Sequence, residues 1–91
     1  MISDSVKLGA LVKALAGRDC CEIFVITGII DNQYVLIANG KNRTVKKPKK
    51  KKIKHLEFLN VVDDSIEEKL NKKRLLDADI RKSIKLFYLS K

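Results

Sequence analysis

The chain has 91 residues, a hydrophobic fraction of 45%, a charged fraction of 34% and a formal charge of +9. That length supports one modest core and excludes two independent ones, and the composition is that of a folded domain rather than a disordered tail. No apolar run approaches the roughly 20 residues needed to cross a bilayer, and Met1 to Asp4 lack the basic start and long apolar stretch of a secretory signal, so the expected location is cytoplasmic.

From Leu8 to Val45 the chain reads as short β-rich runs separated by turn residues. Ala16-Gly17-Arg18-Asp19 is the first turn. Glu22 to Ile30 is dense in β-branched and aromatic residues, with Gly28 where a strand can bulge. Asp31-Asn32 punctuates it, and Gln33 to Ala38 is the next strand. Asn39-Gly40 is a strong hairpin signal because both residues tolerate positive φ, so Asn42 to Lys47 is expected to return as the partner strand and Pro48 to end that pairing. His55 to Val62 is the last strand. The strands together close most economically into a small antiparallel barrel without bare edges.

Beyond Val62 the pattern changes to helix. Ser65-Ile66-Glu67-Glu68 is a capping box, and a short helix to about Lys73 follows. Asp77 is expected to cap a second helix in which Ile80, Ile84, Phe87 and Tyr88 form one apolar stripe. The expected fold is therefore mainly β with C-terminal helices: a barrel over residues 1–62, and a helical extension over 63–91 packed on it.

Charge is concentrated in one place. Between Lys41 and His55 stand Lys41, Arg43, Lys46, Lys47, Lys49, Lys50, Lys51, Lys52 and Lys54, nine basic residues with no acid among them, while the other 11 basic residues are matched by 11 acidic ones. A neutral scaffold carrying one positive segment points to a polyanionic partner. A lysine run meets phosphates in many geometries and so provides affinity and orientation without reading bases. Arg18 and Arg43 add a fork that can grip phosphate in bidentate fashion.

Other chemistries find no constellation. Cys20 and Cys21 are adjacent, which excludes an ordinary loop-closing disulfide, and with His55 as the single histidine no zinc ligand set can be drawn. No nucleotide loop, triad or acid–base pair is present, so neither an enzyme nor a cofactor is expected. The aromatic residues Phe24, Tyr34, Phe58 and Tyr88 fall mostly on apolar faces and are expected in the core.

Several of these residues together resemble a family: Gly9, Val12, the turn Ala16-Gly17-Arg18-Asp19, the strands Phe24-Val25-Ile26 and Tyr34 to Ala38, Asn39-Gly40, and the run from Lys47-Pro48 to Lys54-His55-Leu56. The pattern resembles the KOW-domain RNA-binding proteins of Gram-positive bacteria, a group similar to the SH3-like-barrel ribosomal proteins of archaeal and eukaryotic large subunits. Asp77 to Lys82 is similar to the C-terminal helix of some members. The resemblance implies a KOW-type SH3-like barrel and an RNA-binding, ribosome- or translation-linked role. One departure stands out: Cys21 occupies the place of a usual glycine, so either Cys21 takes positive φ or the turn differs.

The reading that results is a non-catalytic RNA-binding protein using Arg18, Lys41, Arg43, Lys46, Lys47, Lys49, Lys50, Lys51, Lys52, Lys54 and His55. Its expected partners are structured RNA, ribosomal RNA in particular, with ribosomal protein contacts, no membrane, no metal and a monomeric state. A protein-interaction module is the alternative, since SH3-like barrels also bind peptides and fold does not fix function. Against it, there is no tryptophan and there are only two tyrosines to line a proline-binding groove. In a eukaryotic host, Lys46 to Lys54 would also read as a nuclear localisation signal.

Overall fold

A computed structural model describes residues 6–17 and 20–90. Five strands, β1 (Ala10–Ala14), β2 (Ile23–Ile29), β3 (Tyr34–Ala38), β4 (Lys49–Lys52) and β5 (Leu56–Val62), form one antiparallel sheet in the order β4-β3-β2-β1-β5. Two helices, α1 (Asp64–Asn71) and α2 (Asp77–Leu89), follow. The expectation of a mainly β domain with C-terminal helices holds.

The sheet curls because of how its edges are joined. Edge strands β4 and β5 lie at opposite ends of the strand order, yet only a three-residue 3-10 turn, Ile53–His55, connects them. Four residue steps reach at most about 14 Å, so the two edges must come near each other. The amides of Ile53 and Leu15 complete the corner, donating to Gln33 O at 2.8 Å and to His55 O at 2.9 Å. The result is barrel-like, with the interior filled by Val12, Ala14, Phe24, Ile26, Val35, Ile37 and Leu56.

Alternation along the strands decides what lies on each side. Phe24 and Ile26 face the barrel interior, whereas Ile23 and Val25 face outward with Leu11 and Ala38 and meet Ile66, Leu75, Ile80 and Phe87 from the helical region. Both faces of β2 are thus buried over its first four residues, Ile23 to Ile26, which is why that half reads as a continuous apolar run. The helices cover the β1–β2 side and leave the outer face of β3 and β4 uncovered around Tyr34.

Several local expectations are corrected. The strand that pairs with β3 is Lys49–Lys52, not Asn42 to Lys47, in the register Tyr34↔Lys52, Val35↔Lys51, Leu36↔Lys50 and Ile37↔Lys49. Pro48 therefore precedes this strand instead of ending one. Asn39-Gly40 does not make a two-residue hairpin. The buried Asn39 winds residues 39–43 into a loop: its Oδ1 accepts from the amides of Lys41 and Arg43, and its Nδ2 donates to Asn42 Oδ1 at 2.8 Å. This Asx geometry competes with the hairpin turn for the same residue types. Gly40 takes φ +76°, which the hairpin reading allowed it, but there a Cβ would press on Asp77 O and Arg81 Cγ of α2.

The helix caps also shift. α1 is capped by Asp63, whose Oδ1 accepts from the Ser65 amide at 3.0 Å and the Ser65 hydroxyl at 2.6 Å, so Ser65 lies inside the first turn. At α2 the Leu76 amide is satisfied by Asp79 Oδ2 at 3.0 Å. Asp77 instead accepts from the amide of Val45 at 2.8 Å, fastening the long loop to the helix. Tyr88 leaves the apolar stripe and stands 56% exposed, while Ser83 takes a buried position and donates to Asp63 Oδ2 at 2.9 Å. The last strand begins at Leu56, because His55 belongs to the 3-10 turn.

At the first turn, Cys21 adopts φ +73° and its amide donates to Ala14 O at 2.7 Å. Of the two alternatives left by the missing glycine, positive φ at Cys21 is the one realised. The Cys20 and Cys21 sulfurs lie 3.2 Å apart, and this hydrogen bond pushes the exposed Cys20 thiol up from its ordinary range.

Candidate nucleic-acid interface

The basic segment is not one surface. A strand alternates its side chains, so β4 splits its four lysines into two pairs. Lys49 and Lys51 share a face with Ile37 and Val35, the interior side, while Lys50 and Lys52 share a face with Leu36 and Tyr34.

Lys51 is 9% exposed. Its stem closes the barrel mouth and its ammonium donates to Ala16 O at 2.9 Å, beside the bare backbone of Gly17. Lysine suits this place because its methylene stem packs with apolar neighbours while the charged tip reaches a carbonyl at the rim. Lys49 is half-buried on the same side.

Lys50 and Lys52 behave differently. Their Nζ atoms lie 4.5 and 5.8 Å from the Tyr34 ring centroid, so two cations share one aromatic ring. Neighbouring like charges repel, and the electron-rich ring face offsets part of that repulsion. Past the end of β4, Lys52, Ile53 and Lys54 join Asn32 and Gln33 around a groove of about 410 Å³. His55 is half-buried in the 3-10 turn.

The remaining cations lie on the loop between β3 and β4. Lys41, Lys46 and Lys47 are exposed, and Arg43 is half-buried where its backbone anchors the Asn39 turn. Arg18 lies outside the described residues. The structure thus brings together Lys50, Lys52 and Lys54 along one edge, with Lys46 and Lys47 on the loop before it, and withdraws Lys51.

Two features escaped the sequence reading. Tyr34 supports the outward lysines instead of filling the core, which the i, i+2 spacing on β4 opposite Tyr34 would reveal only once the register is known. A second basic region is formed by the 39–42 loop, the start of β2 and the C-terminal half of α2, around a groove of about 570 Å³. Among the described residues, no helix is long and apolar enough to cross a membrane.

No family model matches the chain. It is similar to the large ribosomal subunit protein eL14 of Staphylothermus marinus, at 35% identity over 60 residues. The match covers 66% of this chain and 62% of that protein, so the chain spans less than two thirds of the relative's length. This likeness to a large-subunit ribosomal protein supports the ribosomal side of the resemblance drawn from the residues. It gives no support to the Gram-positive bacterial group.

Proposed function

We propose that this protein is a cytoplasmic, non-enzymatic RNA-binding protein of the translation apparatus that grips the phosphate backbone of structured RNA with the outward face of β4. The observation carrying this reading is the pair Lys50 and Lys52, held over Tyr34 on a face that the helices leave uncovered. The similarity to a large-subunit ribosomal protein supports the choice of RNA as the polyanion.

The chemistry follows from the placement. Paired antiparallel to β3, the outward lysines cannot drift as a free tail would, so binding orders fewer rotors than a flexible polylysine would require. Lys54, within the 3-10 turn, extends the track, and exposed Lys46 and Lys47 flank it from the loop. A row of ammonium groups of this kind matches the backbone and shape of an A-form helix, which is recognised without base reading. Contacts to ribosomal proteins would use the remaining exposed surface.

The test is sedimentation of tagged protein in host lysate at low and physiological salt, beside a Lys50→Ala/Lys52→Ala variant. The structure selects these two positions because changing Lys51 as well would confound binding with loss of the barrel cap. Wild type is expected to travel with ribosomal particles and the variant to remain at the top. With purified structured RNA, the slope of log K against log salt should fall by about 1.4 to 1.8 in the variant, at about 0.7 to 0.9 per lost phosphate contact. An unchanged slope would sink the assignment of these two lysines, and wild type remaining at the top at both salts would remove the ribosome.

A further inference from the structure

We infer that the groove between the C-terminal half of α2 and the 39–42 loop holds an unpaired nucleotide of the bound RNA, its base stacked on Tyr88 and its phosphate on Lys41, Arg81 and Lys85. This rests on RNA being the ligand and adds a second, chemically different contact to the β4 face.

Helical spacing builds one wall. Arg81, Ile84, Lys85 and Tyr88 recur at i, i+3, i+4 and i+7, and all four line the groove. Its volume of about 570 Å³ lies within the range of small-molecule sites and can accept a nucleotide. Among the described residues, the three cations of the lining face a single acid, Glu22, so the site favours an anion. Tyr88 is 56% exposed and held edge-on to the Phe87 ring, with centroids 6.0 Å apart, so an aromatic face is anchored at the mouth. An exposed ring beside cations over an apolar floor is the arrangement that binds single-stranded nucleotides by stacking and charge.

The loop wall adds direction. Arg81 donates from Nη1 to Gly40 O, which fixes the guanidinium at the groove and leaves further N–H donors of its fork. Asn42 uses its Oδ1 to accept from Asn39, so its amide nitrogen is the group it can offer to an acceptor on the ligand. The same loop runs on from Lys41 through Lys46 and Lys47 to β4. One RNA can therefore lie along β4 with its helical part and place an unpaired residue in the groove.

The experiment compares binding of a blunt RNA duplex with that of the same duplex bearing a short single-stranded extension, using wild type, Tyr88→Ala, Tyr88→Phe and Lys50→Ala/Lys52→Ala. The extension should tighten binding to wild type by about 5- to 150-fold, the range of one stacked base. Tyr88→Phe should keep that gain and Tyr88→Ala should lose it, while both retain wild-type circular dichroism and duplex affinity. Ultraviolet crosslinking should join the extension to the peptide containing Tyr88. No gain from the extension, or a gain that survives in Tyr88→Ala, overturns the inference even where the lysine variant still loses duplex binding. If Tyr88→Ala keeps the gain but no longer travels with ribosomal particles, the groove holds protein and the nucleotide is likewise ruled out. Failure of wild type to bind either RNA would remove the underlying function together with the groove.

Discussion

The β4 strand and the α2 groove are both basic, but they are made in opposite ways. β4 is a contiguous run of one residue type, and its geometry comes from ladder pairing with β3. The groove draws on Lys41 and on Arg81, Lys85 and Tyr88, positions some forty residues apart joined through the contact of Arg81 with Gly40. A contiguous run cannot spend all its charge on a ligand, because strand alternation turns every second lysine to the other face. A groove assembled over long range selects each side chain separately and can therefore combine a ring, a guanidinium and amides in one place.

The largest effect that breaks this contrast is expected from Gly40→Ala. The new Cβ would stand at positive φ against Asp77 O and Arg81, so the loop and α2 must separate. A loss of roughly 2–4 kcal/mol is expected from strain and overpacking together, seen as a fall in Tm of about 4–8 °C per kcal/mol for a domain of this size. The residual folded protein should lose groove-dependent binding while its β4 face still responds to salt. Equal loss at both places would show that the groove and strand are not separately built.

Next in size is Lys51→Met, which keeps the stem and removes the ammonium. Losing the charged bond to Ala16 O should cost about 1–2 kcal/mol by thermal or urea unfolding, with the salt slope for RNA unchanged. A slope that falls as for Lys50→Ala would place Lys51 on the binding surface and erase the division of β4 into two faces.

A smaller effect separates the helical region from the strands as pH falls. Burial pushes the Asp63 carboxyl up, but hydrogen bonds from the Ser65 and Ser83 hydroxyls and the Ser65 amide outweigh it and hold it below the ordinary range. Asp79 is held low by Lys69, 2.8 Å away, and by the Leu76 amide. Both carboxyls bind protons more weakly folded than unfolded, so the stability they add is full above about pH 4 and lost as pH drops through their folded values. Acid should therefore loosen the α1–α2 contacts, followed by urea unfolding between pH 5 and pH 2, and Asp63→Asn should flatten the decline. An unaltered acid profile in that variant would show that Asp63 does not link the two helices.

The smallest expected stability change is for Lys50→Ala. Removing its contact with Tyr34 should cost about 0.5 kcal/mol or less at an exposed site, yet reduce the salt slope for RNA by about 0.7 to 0.9. Beside Lys51→Met this completes a double dissociation between adjacent residues: one change felt in stability, the other in binding.

The sequence by itself determined the class of fold, the position of the charge and a residue at Gly40 for which positive φ is cheap, while at Cys21 it left positive φ and a different turn both open. These follow from local quantities: β-branched runs, helical periodicity, a count of acids against bases, and the steric cost of a Cβ at positive φ. Tertiary structure decided which lysines face outward, because the register of β4 against β3 sets the parity, and the hairpin expected at Asn39-Gly40 placed that register on the wrong residues. The same misreading hid Tyr34 beneath the lysines. Only the packed chain could give Asp77 to Val45, Asp63 to Ser83 and Arg81 to Gly40, since each bond joins groups between 20 and 41 positions apart. Local propensity carries no information about such pairs, and the last of them joins the two walls of the groove beside α2.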